Sequence, residues 1–321
     1  MPKVFVTRRI PEIGINMLKE KGYDVEVSDV DGVLPRKVLL EKVKGADAVL
    51  SLLTDKINAE FLDAAGPQLK IVANYAVGFD NIDVKALNEK NVIAANTPGV
   101  LNESVAEMSI TLLLAIAKKV VEADKFMREG KYKGWGPMMF LGNDLAGKTL
   151  GLIGLGRIGQ VVAQRMSAGF EMKVIYYDIK RNEEAEKKYN LEYRDLESLL
   201  KDSDFVSIHV PMTPETKHLL GADQFKMMKK TAYLVNTARG PVIDENALVE
   251  ALKAGLIKGV ALDVYENEPA MAEGLKDLPN TILIPHIASA TEETRGAMSE
   301  LAAKNIIAAL SGEEPMTPIK I

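Results

Sequence analysis

The segment Thr149–Met166, TLGLIGLGRIGQVVAQRM, decides how the rest of the chain is read. An apolar strand pattern, TLGLI, enters Gly154-Leu155-Gly156-Arg157-Ile158-Gly159, and an amphipathic helical stretch leaves it. A second strand pattern, KVIYY, then ends in Asp178, nineteen residues beyond Gly159. A GxGxxG set alone is a weak signal, because glycine recurs in many turns. The order strand, glycine loop, helix, strand, acid is what a dinucleotide-binding βαβ unit requires. Gly154 permits the tight turn, Gly156 lets the backbone approach a pyrophosphate, and Gly159 allows close helix–strand packing. The amides of Arg157 and Ile158 lie at a helix N-terminus, where an anion is favoured. Asp178 is placed to accept hydrogen bonds from adenosine ribose hydroxyls, with Ile179 and Lys180 beside it. Lys180 and Arg181 would attract the 2′-phosphate of NADP, whereas Asp178 would repel it. NAD is therefore the expected cofactor, with NADP left open.

The same alternation extends along the chain. KVFVT, YDVEV, ADAVLSLL, LKIVANYAV and VIAAN read as strands within residues 1–99, separated by helices near Pro11–Lys21, Pro35–Val43, Asn58–Ala65 and Asp83–Glu89. Strands alternating with helices imply parallel pairing through right-handed crossovers. Their nearly continuous apolar runs suit strands covered on both faces. Thr97-Pro98-Gly99 punctuates the chain, and a long helix capped by Asn102 or Ser104 is expected to run to about Arg128. GKYKGWGPMMFLGNDLAGK, with the single tryptophan, Trp135, follows as irregular chain. TLGLI, KVIYY, FVSIHV, AYLVN, KGVALDV and TILIP then form a second strand series, and a final helix spans about Glu292 to Leu310. The expectation is an α/β chain with two doubly wound parallel-sheet domains.

With 321 residues, 47% of them hydrophobic, the chain suits two cores rather than one. A net charge of -5, with scattered lysine and arginine, gives no electrostatic case for nucleic acid or a membrane surface. The absence of cysteine excludes disulfides, thiolate nucleophiles and cysteine-based zinc sites, and no metal is expected. MSITLLLAIA, Met108 to Ala117, is far too short to span a bilayer. A cytoplasmic protein is the expectation.

Three further stretches end expected strands: NTARG with Arg239, ALDVYENEP with Asp263 and Glu268, and IPHIAS with His286. Residues just past the carboxyl ends of parallel strands line the ligand crevice, so these three converge on the nicotinamide side of a dinucleotide held at Gly154–Gly159. VGFDN, NTPGVLNESVAE, GLIGLGRIGQ, HVPMTPETKHLL, NTARGPVIDENAL, GVALDVYENEP and PHIAS together resemble the D-isomer-specific 2-hydroxyacid dehydrogenases, nearly end to end. Within that family the SLLTDKI loop and the tryptophan before the cofactor domain look most like the glyoxylate and hydroxypyruvate reductases.

The resemblance implies a flavodoxin-like substrate domain over residues 1–99, completed by 288–321, and a Rossmann NAD(P)-binding domain over 100–287. It implies His286 as proton donor to the keto oxygen, Glu268 as partner of its imidazole, and Arg239 as holder of the substrate carboxylate and carbonyl. Val77 and Gly78 amides would complete carboxylate binding, while Leu53 and Ser289 would shape the pocket. Asp263, Thr237 and Ala238 would contact the nicotinamide half, and Val210 and Pro211 would lie near the adenine. Connections near 99–104 and 287–292 would act as a hinge. The helix from Ser104 and the Trp135 segment resemble the family's homodimer contacts, with Trp135 reaching the neighbouring substrate pocket. His209 and His218 match no catalytic position. Two alternatives stand beside reduction of glyoxylate or hydroxypyruvate: a phosphoglycerate- or D-lactate-type dehydrogenase, and a non-catalytic dinucleotide sensor on the same fold.

Overall fold

The computed structural model describes residues 1–320. The chain divides into two compact units, Met1–Leu101 together with the chain from Ala290, and Asn102–Ser289.

The first unit opens with β1 (Lys3–Val6), α1 (Glu12–Glu20), β2 (Asp24–Val27), α2 (Arg36–Lys42), β3 (Ala48–Ser51), α3 (Ala59–Ala65), β4 (Ile71–Asn74), α4 (Val84–Glu89) and β5 (Ile93–Ala95). Its five strands are parallel in the order β2-β1-β3-β4-β5, a flavodoxin-like arrangement. β3 and β4 are buried along their whole length, which is why their sequences are uninterrupted apolar runs. Local chemistry sets several starts. Asn58 and Asp83 accept the amides of Phe61 and Ala86, capping α3 and α4, and prolines precede α1 and α2.

The second unit comprises α5 (Asn102–Ala117), α6 (Val120–Arg128), β6 (Thr149–Ile153), α7 (Arg157–Phe170), β7 (Lys173–Tyr177), α8 (Glu183–Tyr189), β8 (Glu192–Tyr193), α9 (Leu196–Asp202), β9 (Phe205–Ile208), α10 (Ala222–Met227), β10 (Tyr233–Asn236), α11 (Glu245–Lys253), β11 (Gly259–Leu262) and β12 (Thr281–Leu283). All seven strands are parallel, ordered β12-β11-β10-β9-β6-β7-β8. Separate apolar clusters cover the two faces, one built around Leu113, Leu152 and Tyr176, the other around Ile153, Leu234 and Leu262. The chain then returns to the first unit as α12 (Glu292–Leu310), capped by Thr291, which packs on β3, β4 and α1. A Cβ added at Gly14 would lie 2.2 Å from the Ser299 carbonyl oxygen, so only glycine admits this approach of α1 to α12.

Two expectations need correction, and one element had no expectation. The long helix is two helices: Lys119 takes a left-handed φ of 56°, and the Ala117 carbonyl accepts the Asn143 amide at 2.8 Å instead of continuing the helical ladder. The helix begins at Asn102 itself, and Ser104 is a buried residue inside it rather than its cap. The two-residue edge strand β8 was not expected, because Glu192-Tyr193 is too short to show a pattern.

Candidate active site

In the second unit the strand order reverses between β6 and β9, which is where an open parallel sheet receives its ligand. The loops after these two strands pack on each other. Gly154 has φ +98°, and a Cβ there would lie 2.8 Å from the His209 carbonyl carbon and oxygen. A Cβ at Gly159 would meet the Gly154 carbonyl oxygen at 2.3 Å, whereas one at Gly156 would enter open space. Two glycines thus close the turn, and the third leaves room for a group to approach the backbone. Gly156 is the N-cap of α7 and supplies no capping side chain, so Arg157 and Ile158 begin a helix end without a side-chain cap.

Asp178 follows β7, and one of its oxygens accepts the Leu155 amide at 2.8 Å, tying the strand end to the glycine loop. The other oxygen lies 3.5 Å from the Lys180 amide. A carboxylate offers about four acceptor positions, so capacity for ribose hydroxyls remains. Ile179 is 93% exposed, as fits a residue at the rim of a nucleotide site. Val210 and Pro211 follow β9 beside Gly154; the Val210 side chain would approach a Cβ at Gly154 to 2.9 Å. These residues fit a dinucleotide.

Past the carboxyl ends of β10, β11 and β12 lies a second group. Buried Asn236, the last residue of β10, accepts the Ala238 amide at 2.9 Å and donates to the Arg239 carbonyl at 3.0 Å. Its carboxamide thereby shapes the turn that presents Arg239. Thr237 shares a hydrogen bond of 2.7 Å with Ser109 of α5, which anchors the turn from behind. A Cβ at Gly240 would lie 1.9 Å from the Tyr265 carbonyl group, so the arginine turn and the following loop interlock only through glycine.

That loop carries three carboxylates with three different partners. Asp263 is buried; its two oxygens accept the amides of Ile287 and Ala288, and its carbonyl accepts the His286 amide. Burial raises the Asp263 pKa above the usual range against the opposing pull of those amides and of His286. Glu266 lies 2.6 Å from His218 Nε2. Glu268 takes the Tyr265 amide on one oxygen and His286 Nδ1, at 2.9 Å, on the other. Burial works to raise the Glu268 pKa. The His286 hydrogen bond and charge, the Tyr265 amide and the Arg239 charge outweigh it and hold the carboxyl below its ordinary range.

His286 has a left-handed φ of 52°, and its loop is fixed through Asp263. With Nδ1 on Glu268, Nε2 is the nitrogen left to face a reactant. Glu245, at the start of α11, has no counterpart in the sequence expectations. Although 3% exposed, its carboxylate accepts the amides of Glu266 and Ala272, clamping both ends of the loop that carries Glu268. The signal available in sequence was an acid in the first turn of a helix, which ordinarily marks a solvated helix start.

His209 does not join this group: its Nε2 lies 2.9 Å from Ser207 Oγ under the glycine loop, and enclosure pushes its pKa down to about 4. In the first unit, Leu53 lies after β3, and Val77 and Gly78 after β4. The carbonyls of Val77 and Gly78 accept from Asn96 and Asn74 at 2.7 and 2.9 Å. Neither of their amides has a hydrogen-bond partner among the described residues. Ser289 is partly buried, and Trp135 is 82% exposed. No group of three metal-ligating side chains occurs among the described residues, and no helix is long and apolar enough to cross a membrane.

A nucleotide loop at the switch point, with a histidine–carboxylate pair and an arginine beyond the neighbouring strands, defines a dinucleotide-dependent dehydrogenase. The chain belongs to the D-isomer specific 2-hydroxyacid dehydrogenase family, whose NAD binding domain matches residues 110–288. It is 52% identical to the glyoxylate reductase of Thermococcus litoralis over 98% of this chain and 95% of that protein. A solved protein from Thermus thermophilus superposes with a TM-score of 0.93 at 43% identity, covering 99% of this chain and all of the other. The NADPH-dependent glyoxylate/hydroxypyruvate reductase of Sinorhizobium meliloti, solved with NADP and malonate, gives a TM-score of 0.88 at 33% identity. It covers 99% of this chain and 96% of its own. The cofactor is accordingly NAD(P).

Proposed function

We propose that the chain reduces a small 2-oxo acid, glyoxylate or hydroxypyruvate, to the 2-hydroxy acid, the D-isomer where the product is chiral. The observation that carries this is the His286–Glu268 pair beside the Arg239 turn. When bound, the reduced nicotinamide supplies the hydride. His286, its Nδ1 held by Glu268, donates a proton from Nε2 to the carbonyl oxygen as charge develops there. Arg239 holds the carboxylate and carbonyl oxygens, a task suited to a planar guanidinium. Ser289 shapes the acid's surroundings, and Asp263, Thr237 and Ala238 serve the nicotinamide end. Asp178 favours NAD over NADP by accepting the ribose hydroxyls. Similarity to proteins named glyoxylate reductase supports this substrate class.

The working form is a homodimer. α6 buries none of its residues, and Val120, Met127, Trp135, Met138 and Leu141 are all more than half exposed. Apolar surface so concentrated over twenty-two residues marks an association face. Trp135 is the candidate to reach the partner's substrate. A chain without cysteine suits the reducing cytoplasm, where we place it. Initial rates with NADH and NADPH against glyoxylate, hydroxypyruvate, pyruvate and phosphohydroxypyruvate test the reading. Dinucleotide binding without turnover of any of them would identify a sensor instead.

A further inference from the structure

Arg181, three residues beyond Asp178, is the guanidinium best placed in sequence to meet a 2′-phosphate. In the folded chain it is already engaged. Its Nε and one terminal nitrogen donate to the two carboxylate oxygens of Glu186 at 2.9 and 2.8 Å, a two-pronged pair. Glu186 is held in turn. The hydroxyl of Tyr176 donates to it at 2.7 Å and itself accepts the Asn182 amide at 2.8 Å. Tyr176 belongs to β7 and is fully buried, so the carboxylate hangs from the sheet rather than from a mobile surface chain. The Glu186 side chain is 12% exposed, against 58% for Arg181. The hydrogen bond from Arg181, then that from Tyr176, brings the Glu186 pKa down to about 2, so the pair persists across the neutral range.

We propose that Glu186 is a specificity-determining residue that withdraws Arg181 from the cofactor and thereby disfavours NADPH. The paired carboxylate cancels the guanidinium charge and occupies the two nitrogens that would otherwise meet a phosphate. Lys180 is then the unpaired cation of this turn: its side chain makes no ion pair among the described residues. Asp178 reads the ribose directly, whereas Glu186 acts through Arg181. The inference rests on the proposed placement of the adenosine ribose at Asp178.

The test compares wild type, Glu186→Gln, Arg181→Met and the double variant in glyoxylate reduction with NADPH and NADH. The ratio of kcat/KM values for the two cofactors is read alongside the melting temperature. Glu186→Gln should raise the NADPH/NADH ratio roughly five- to tenfold, the effect of removing one nearby surface charge. Arg181→Met alone should move it less than about twofold, and the double variant should lose the gain. An unchanged ratio in Glu186→Gln, or a gain that survives without Arg181, overturns the proposal. If Glu186→Gln melts too low to assay, Arg181→Met decides alone, because a selective loss of NADPH use would show that Arg181 is not withdrawn. If glyoxylate is not turned over, fluorescence titration with the two reduced cofactors supplies the same ratio, separating a wrong substrate from a wrong determinant. Binding of neither cofactor removes both.

Discussion

Glu268 Oε2 lies 2.9 Å from His286 Nδ1, and the other Glu268 oxygen accepts the Tyr265 amide at 3.0 Å. The carboxylate is thus fixed by backbone before it orients the ring. Asp263 fixes the backbone at and just after the ring, through its carbonyl on the His286 amide and its carboxylate on the amides of Ile287 and Ala288. The acid–base pair is held at both ends by groups that do no chemistry themselves.

His286→Ala should lower turnover of glyoxylate by about 10²–10⁴, the usual range for a general acid, while NADH affinity stays near that of wild type. Near-normal turnover would exclude His286 as donor. Glu268→Gln bears on stability as well. A carboxyl whose folded pKa is depressed stabilises above its unfolded value and loses that contribution as pH falls through the folded pKa. The melting-temperature gap between wild type and Glu268→Gln should be widest near neutrality and close on acidification below the ordinary 4.5.

Asp178→Ser should raise NADPH use relative to NADH by removing the charge that opposes the phosphate. It also removes the acceptor of the Leu155 amide, so NADH affinity should fall as the glycine loop loosens. Titration with both cofactors separates the two effects. An unchanged preference would mean that Asp178 serves the loop alone.

Glu245→Ala strands two amides that now share one buried carboxylate. Leaving a fully buried donor unsatisfied costs about 1–3 kcal/mol, and these two amides are partly buried, so a combined loss of roughly 1–3 kcal/mol is expected in denaturant unfolding. Turnover should fall further than NADH affinity, because the freed loop carries Glu268. Glu245→Gln retains one acceptor and should recover part of both. Equal losses in turnover and cofactor affinity would argue for a general structural role.

His209 gives a pH dependence of defined sign. Part of the residue reaches solvent, yet its side chain lies under the glycine loop against Gly159, with Nε2 on Ser207. Its folded pKa is down to about 4 from an ordinary 6.5, so between these values the unfolded chain binds a proton that the folded chain refuses. Stability therefore falls as pH drops through this window, by on the order of 3 kcal/mol if the site stays closed. His209→Gln should flatten the slope between pH 6.5 and 4. A wild-type slope retained in the variant would assign it to other groups.

Much of the fold was legible in the sequence because its determinants are local. Asn58 and Asp83 mark helix starts with side chains that reach only three residues ahead. Strands buried on both faces announce themselves as apolar runs, and the glycine loop works through fixed spacing to Asp178. The helix break at Lys119 was not legible, since an apolar helical pattern runs up to it and the Asn143 amide that takes the Ala117 carbonyl comes twenty-six residues later. The family resemblance had already implied Glu268 as the partner of His286, but tertiary structure alone sent Asp263 to two amides and Glu266 to His218. It also tied Arg181 to Glu186 and sent the Glu245 carboxylate inward. Composition shows that a loop holds carboxylates. Which of them meets a ring nitrogen, an amide or a guanidinium depends on distances set by distant strands, and hydrogen bonds lapse beyond about 3.5 Å.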